Sequence, residues 1–238
     1  MSRMIWACIN CYEDDFLIED CIRSVRSSIP GVKIVAVDGA YSAFNIQAKV
    51  LEAQFLNKRQ KDVADCFRRY IEPQSKDKTL EILKRNNVEV IIETKEAWEN
   101  EHVKRSKYFV GNKGDFYFVI DSDERLIGQF PTWEVLDMSN HWCVMLTRDD
   151  MPTKPYPILR GHHHVDGMHY DGAHHALFCD GNLVKRVDYE NDWVLPNCWL
   201  DHRWAERAVQ NNIRHQIKGA YYKYLLEAED IFRRTNGI

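Results

Sequence analysis

Three acids within four positions, Asp121, Asp123 and Glu124, follow directly on five apolar or aromatic residues, Phe116 to Ile120. A run that short and that rich in aromatic and β-branched side chains reads as a buried strand rather than a helix. The acids then stand at its C-terminal end. If the chain stays extended, its side chains alternate, so Asp121 and Asp123 share one face while Ser122 and Glu124 take the other. Two carboxylates on one face repel each other unless a cation lies between them. Mn2+ and Mg2+ suit that place, because each is held by one or two protein carboxylates and completes its shell with phosphate and water. The pattern is that of a nucleoside-diphosphate site. Asp-x-Asp by itself reads first as a solvated acidic turn. The buried strand ahead of it separates the two readings, since ligands of open α/β sheets collect at the carboxyl ends of strands.

The elements that must position these acids can be read in order. Met4 to Ile9 is a short apolar run that ends in a polar loop, Asn10 to Asp15. Phe16, Leu17, Cys21, Ile22 and Val25 follow at helical spacing, and Pro30-Gly31 stops them. Lys33 to Val37 is a second strand, closed by Asp38-Gly39. Strand, helix and strand joined this way imply a parallel pair with a right-handed crossover. Residues from about 43 to 72 break the rhythm and read as a helical insert rich in Gln, Lys and Arg. Beyond it, Ser75 and Asp77 suit a helix start, Val88 to Ile92 a third strand, and Glu96 to Val110 a helix carrying Lys104 and Arg105. The order is that of a parallel-sheet α/β domain with flanking helices. After Pro131 come a short helix near Trp133 to Met138, a strand over Trp142 to Thr147, a histidine-rich stretch from Arg160 to His175 that reads as a loop, and a C-terminal helix over Asp201 to Arg234.

Composition excludes several classes. With 238 residues, 45% hydrophobic and 29% charged, the chain can bury a full core as one domain, 1–238. A net charge of −4 gives no basic footprint, so nucleic acid is not an expected partner. Seven scattered cysteines suit buried thiols in a reducing compartment, and Cys8 with Cys11 has no second pair to complete a zinc site. No transmembrane segment is legible, nor an apolar signal at the N-terminus, and the expected location is cytoplasmic. A dinucleotide dehydrogenase is disfavoured, because no Gly-x-Gly-x-x-Gly follows the first strand.

Several of these pieces together resemble the nucleotide-sugar glycosyltransferases of the GT-A fold, family 2 and its near relatives. The resemblance rests on Asn10-Cys11-Tyr12-Glu13, on Ile18 to Ser24 with its Ile-x-x-Cys-Ile-x-Ser pattern, and on Val37-Asp38-Gly39 with Ser75-Lys76-Asp77-Lys78-Thr79 as two halves of one motif split by the insert. It continues through Arg105, Asp121-Ser122-Asp123-Glu124, Arg160, Tyr170 to His175 and His202, and so covers about residues 4 to 205. The family's usual His-Glu is His175-Ala176 here. The resemblance implies a mostly parallel central sheet, a nucleotide-binding half of about 1–125 and an acceptor-side half of about 126–238. It also implies a DXD-motif, metal-dependent hexosyltransferase that moves a sugar from a nucleotide-sugar donor to a glycan, protein or small-molecule acceptor.

Residue chemistry and resemblance then assign roles. Asp38 can accept a hydrogen bond from a base with a ring N–H, which uracil and guanine carry and cytosine lacks, so a UDP- or GDP-sugar is expected. Glu13, Asp38, Asp77, Arg105 and Asp121 form the expected donor-binding set. By resemblance Asp121 lies near the ribose, Asp123 takes the Mn2+ or Mg2+, and His175 or His202 completes its coordination. Lys104 or Arg105 with the metal would neutralise the departing diphosphate. Inverting transfer needs a carboxylate base near the acceptor. Asp149, Asp150, Asp171 and Asp201 are candidates, and Asp171 is grouped with Asp121 and Asp123 as the catalytic set. Two alternatives stand beside this reading: a metallohydrolase built on the His162 to His175 cluster, and a non-catalytic sugar-nucleotide-binding protein.

Overall fold

The structure, a computed structural model, describes residues 3–40, 73–93, 98, 101–149, 151–170, 176–179, 182–186 and 193–203. The expected insert at about 43–72, the site candidates Asp150, Asp171 and His175, and residues 204–238 of the expected C-terminal helix lie outside the described residues.

The first half alternates strands and helices as its periodicity implies. β1 (Ile5–Cys11), α1 (Ile18–Ser28), β2 (Lys33–Asp38), α2 (Thr79–Arg85), β3 (Glu89–Ile92), α3 (Glu101–Ser106) and β4 (Phe116–Asp121) follow one another. In α1 the buried residues Ile18, Cys21, Ile22 and Val25 recur at spacings of three and four, so one stripe faces the sheet. The described helix before β4 is shorter than expected, ending in a turn after Ser106. β2 and β4 flank β1, both parallel to it, and β3 lies parallel to β2. The register sets Asn10 against Asp121 and Cys11 against Asp38, so the carboxyl ends of the three inner strands lie level.

The second half is built differently. β5 (Glu124–Gly128), α4 (Trp133–Leu136), β6 (His141–Arg148), β7 (Met151–His163) and β11 (Val194–His202) extend the sheet in the order β3-β2-β1-β4-β7-β6-β11-β5. β7 runs antiparallel to β4 and to β6, β11 parallel to β6, and β5 antiparallel to β11. The sheet is therefore mixed, parallel through its first four strands and largely antiparallel beyond. A smaller sheet holds β8 (Met168–Tyr170), β9 (Ala176–Cys179) and β10 (Asn182–Arg186). Among the described residues no helix is long and apolar enough to cross a membrane.

Two expectations are corrected here. Arg160 to His163 is not loop but the end of β7, where Gly161, His162 and His163 pair with Phe118, Tyr117 and Phe116. Glycine is what lets that strand approach, since a Cβ at Gly161 would stand 2.7 Å from the Phe116 ring and 2.9 Å from the Trp142 Cβ. Likewise Asp201 and His202 do not open a helix. They end β11, paired with Thr147 and Arg148 on one side and Arg125 and Glu124 on the other, and cross-strand hydrogen bonds claim the backbone a helix would need.

The chain leaves β2 through Gly39, which has φ +124°, and the two halves of the split motif meet there. A Cβ on Gly39 would fall 2.2 Å from the Pro73 carbonyl oxygen and 3.0 Å from Trp98 Nε1. Gly39→Ala therefore combines a disfavoured backbone conformation with a backbone clash. The expected outcome is a loss of roughly 2–4 kcal/mol in urea unfolding, whereas Gly31→Ala, where a Cβ meets nothing within 4 Å, should cost less.

Candidate functional site

The level carboxyl ends of β1, β2 and β4 carry a dense set of buried polar groups. Asp38, at the end of β2, is fully buried, and Ser75 satisfies both of its oxygens: the Ser75 N–H donates to Oδ2 at 2.8 Å and its hydroxyl to Oδ1 at 2.6 Å. Burial pushes the Asp38 carboxyl up from its ordinary range, and the Ser75 bonds and Lys104 work against that. The same Ser75 hydroxyl accepts the Glu13 N–H at 2.8 Å, and Glu13 Oε1 accepts the Lys76 N–H at 2.5 Å. Glu13 holds φ 55°, a left-handed conformation that its place in this seam fixes. Asp77 Oδ1 accepts the Thr79 N–H at 2.9 Å and Oδ2 the Asp15 N–H at 3.1 Å, so it pins the start of α2 to the loop after β1. Residues 73–79 thus lie against the end of β2 and the loop after β1.

Lys104 and Arg105, adjacent on α3, serve different ends. Lys104 is buried and its Nζ donates at 2.7 Å to the Cys11 carbonyl and at 2.7 Å to the Gly39 carbonyl, tying the ends of β1 and β2 together. Burial lowers its pKa to about 8. Arg105 Nε donates to Glu101 at 2.7 Å, and its Nη2 pairs with Asp121 Oδ1 at 2.8 Å. The other oxygen of Asp121 faces Arg160 at 3.0 Å, and the same Arg160 nitrogen reaches Glu124 Oε1 at 2.6 Å. Burial pushes Glu124 up, with Arg160 opposing, and Glu124 Oε2 accepts the Asp121 N–H at 2.8 Å. Burial alone would lower the Arg160 guanidinium, but Glu124 and Asp121 outweigh it.

The strand alternation expected through Asp123 does not hold. β4 ends at Asp121, and Ser122 and Asp123 form a turn, which sends successive side chains to separate partners. Asp121 goes to the two arginines. The Ser122 hydroxyl donates to Asp14 Oδ2 at 2.7 Å. Asp123, nearly fully buried, has Oδ2 3.2 Å from His202 Nε2. Burial opposes a charged His202, but the hydrogen bond and charge of Asp123, with Glu124 and Asp121 behind it, raise its pKa above the ordinary value. Asp149 donates its N–H to the His202 carbonyl at 3.2 Å, and Asp201 Oδ2 lies 3.1 Å from Arg203 Nε, so two of the base candidates border the end of β11.

The histidines of β7 do not converge. His162 is buried, with His141 Nδ1 and the Tyr170 hydroxyl each 3.4 Å away, and burial lowers its pKa well below the ordinary value, helped by His141 and Arg160. His163 lies on the opposite face at 3.0 Å from the Leu136 carbonyl, and His164 Nδ1 lies 2.8 Å from the Tyr117 hydroxyl. Among the described residues no group of three or more His, Cys, Asp and Glu side chains is placed to hold a metal ion by itself. The described cysteines are free thiols.

Sequence reasoning missed the contacts of Asp14 and Glu124. Their signal was weak: each is an acid beside a stronger candidate, and only the fold shows that both are buried.

No protein-family model matches the chain, and no curated protein matches it in sequence. Among solved structures the chain is similar to S. aureus TarS 1-349, with TM-score 0.38 and 15% identity over 64% of this chain and 38% of that one. Against the same piece in complex with UDP the TM-score is 0.36 and the identity 16%, over 61% of this chain and 36% of that one. The complex with UDP-GlcNAc gives TM-score 0.36 and 16% identity, over 61% and 35%. The chain thus spans well under half the length of the structures it matches.

Lys104 supplies a test of this architecture. Lys104→Met takes the ammonium donor from two buried carbonyls, of which that of Cys11 keeps the Gly39 N–H at 3.3 Å, and a loss of about 1–3 kcal/mol is expected in denaturant unfolding. The pH dependence has a definite sign. Between the folded pKa of about 8 and the higher unfolded value, the unfolded chain binds more protons at Lys104, so this residue makes stability rise with pH. The neutral amine still donates to both carbonyls. The stability gap between wild type and Lys104→Met should therefore widen from pH 8 to pH 10, and a gap that narrows would contradict the assignment.

Proposed function

We propose that the chain is a metal-dependent glycosyltransferase that moves a sugar from a UDP- or GDP-sugar to an acceptor hydroxyl. The observation that carries this reading is the Asp123–His202 pair, set at the carboxyl end of a parallel strand and level with the rejoined Asp38–Ser75 seam. Ligands of open α/β sheets bind at such strand ends.

The pair fits a divalent cation. Two neighbouring ligands about 2.1 Å from an octahedral metal lie roughly 3 Å apart, and Asp123 Oδ2 and His202 Nε2 are 3.2 Å apart. With two protein ligands, phosphate oxygens and water would fill the rest of the shell. Bound there, Mn2+ or Mg2+ would stabilise negative charge developing on the leaving diphosphate.

The remaining roles belong to the chain. Asp38 Oδ1 takes the Ser75 hydroxyl and the Cys11 thiol at 3.7 Å, and Oδ2, given the Ser75 N–H, is the oxygen that would accept the ring N–H of uracil or guanine. Glu13 and Asp77 hold the loops that border that end. Asp121, fixed by Arg105 and Arg160, takes the ribose side. Arg105 serves through Asp121, because its guanidinium is committed to Asp121 and Glu101. An inverting transfer would draw its base from Asp149, Asp171 or Asp201, and His175 is a further candidate ligand.

Two outcomes are expected. In calorimetric titration, UDP binds in the presence of Mn2+ and loses most of its affinity in excess chelator, while Asp123→Asn weakens Mn2+-dependent UDP binding about 100-fold and stays folded. Unchanged binding in chelator would defeat the metal reading. For His202 the sign follows from its raised pKa: a proton and a metal compete for Nε2, so Mn2+ affinity falls as pH drops through that value. His202→Ala should flatten this pH dependence, and His163→Ala, on a residue bonded to the Leu136 carbonyl, should leave it intact.

A further inference from the structure

Asp14 is 1% exposed and stands where three segments meet. Its N–H donates to Thr79 Oγ1 at 2.8 Å, and its Oδ2 accepts both the Tyr12 N–H at 2.9 Å and the Ser122 hydroxyl at 2.7 Å. Thr79 opens α2, at the end of the segment that carries Ser75 and through it Asp38. Ser122 is the residue between Asp121 and Asp123. One hydrogen-bonded path therefore runs from the nucleoside end of the candidate site, through the loop after β1, into the turn that presents Asp123.

That turn needs an anchor. Asp121 is fixed by Arg105 and Arg160, and the Asp123 carbonyl accepts the Arg203 N–H at 2.8 Å. Between them the Ser122 backbone sets the direction in which the Asp123 carboxylate leaves the chain. Its hydroxyl bond to a buried, immobile carboxylate restricts rotation at that point, and metal ligands respond to such outer partners by 10- to 100-fold in affinity.

We infer that Ser122, held by Asp14, is a positioning residue that sets the Asp123–His202 pair for a divalent cation and couples that pair to the loop bordering the nucleoside end. This rests on the reading of Asp123 and His202 as metal ligands. Neither Ser122 nor Asp14 touches the metal in this scheme, and both act through the turn.

The test measures Mn2+ alone, by the loss of its free-ion electron paramagnetic resonance signal as protein is added. Ser122→Ala removes the hydroxyl and only one hydrogen bond of Asp14, so it should fold with a modestly lower melting temperature and bind Mn2+ about tenfold more weakly. Ser122→Thr restores a hydroxyl at the same atom and should bind within about threefold of wild type. A purely structural role would lower the melting temperature of Ser122→Ala and leave its Mn2+ affinity within twofold of wild type, and that result overturns the inference. Equal weakening in Ser122→Thr and Ser122→Ala, with both folded, overturns it as well. If wild type itself takes up no Mn2+, both this inference and the metal reading fall, which distinguishes their joint failure from failure of the coupling alone.

Discussion

The arrangement at the end of β4 depends on one carboxylate, Asp121, held between two guanidiniums. A single ion left without a partner in a protein interior costs several kcal/mol, and mutual attraction offsets that only when geometry is good and the remaining lone pairs are satisfied. Here Arg105 lies 2.8 Å from one Asp121 oxygen and Arg160 donates to the other at 3.0 Å. The four groups come from four elements: Asp121 from β4, Glu124 from β5, Arg105 from α3 and Arg160 from β7. Removing any one leaves an uncompensated charge in the others' surroundings. The requirement to keep them together explains why β7 lies against β4 at that level, and so why the antiparallel half of the sheet joins the parallel half where it does.

A second constraint acts at the neighbouring strand ends. Residues 73–79 lie against the end of β2, held by the Asp38–Ser75 pair and the Glu13–Ser75 and Glu13–Lys76 bonds, while Lys104 ties the ends of β1 and β2 together. Apart from the half-buried Glu13–Lys76 bond these are buried, each between groups that would be costly to bury alone. The loop after β1 lies between this seam and the Asp121 ion pairs. Through Asp14 and its neighbours it touches both, which makes it the shared wall of the candidate site.

The parallel half was legible in the sequence because its signals are local. Short apolar runs, a helix with buried residues at spacings of three and four, and turn residues between them fixed β1 to β4 and their order. The antiparallel half was less so. β7 ends in Arg160-Gly161-His162-His163, residues that suggest a loop, and becomes a strand because β4 and β6 supply partners from far along the chain. The end of β11 looked helical for the same reason: its pairing with β5 and β6 is not visible locally. In the site, residue types pointed to Asp38, Asp121 and Asp123, and the resemblance to His175 or His202 and to Ser75 through Thr79. What the residue types could not reveal is which acid faces which cation, because Asp121 and Asp123 differ only by a turn at Ser122.

That difference has an electrostatic consequence. The cations beside Asp121 are guanidiniums, which do not lose their protons in proteins, so its charge is balanced permanently. A divalent ion approaching Asp121 would also meet the positive charge of Arg105 and Arg160. The partner beside Asp123 is an imidazole, a group that can gain and lose a proton; burial lowers its pKa, and Asp123, Glu124 and Asp121 raise it on balance. In the proposed reading a divalent metal would replace that proton and add one positive charge, which donor phosphates would balance, while the imidazole turns from donor to ligand. The two aspartates therefore divide the work that a shared cation between them would have done: one is a fixed anchor for the sheet junction, and the other keeps an exchangeable positive partner at the mouth of the strand ends.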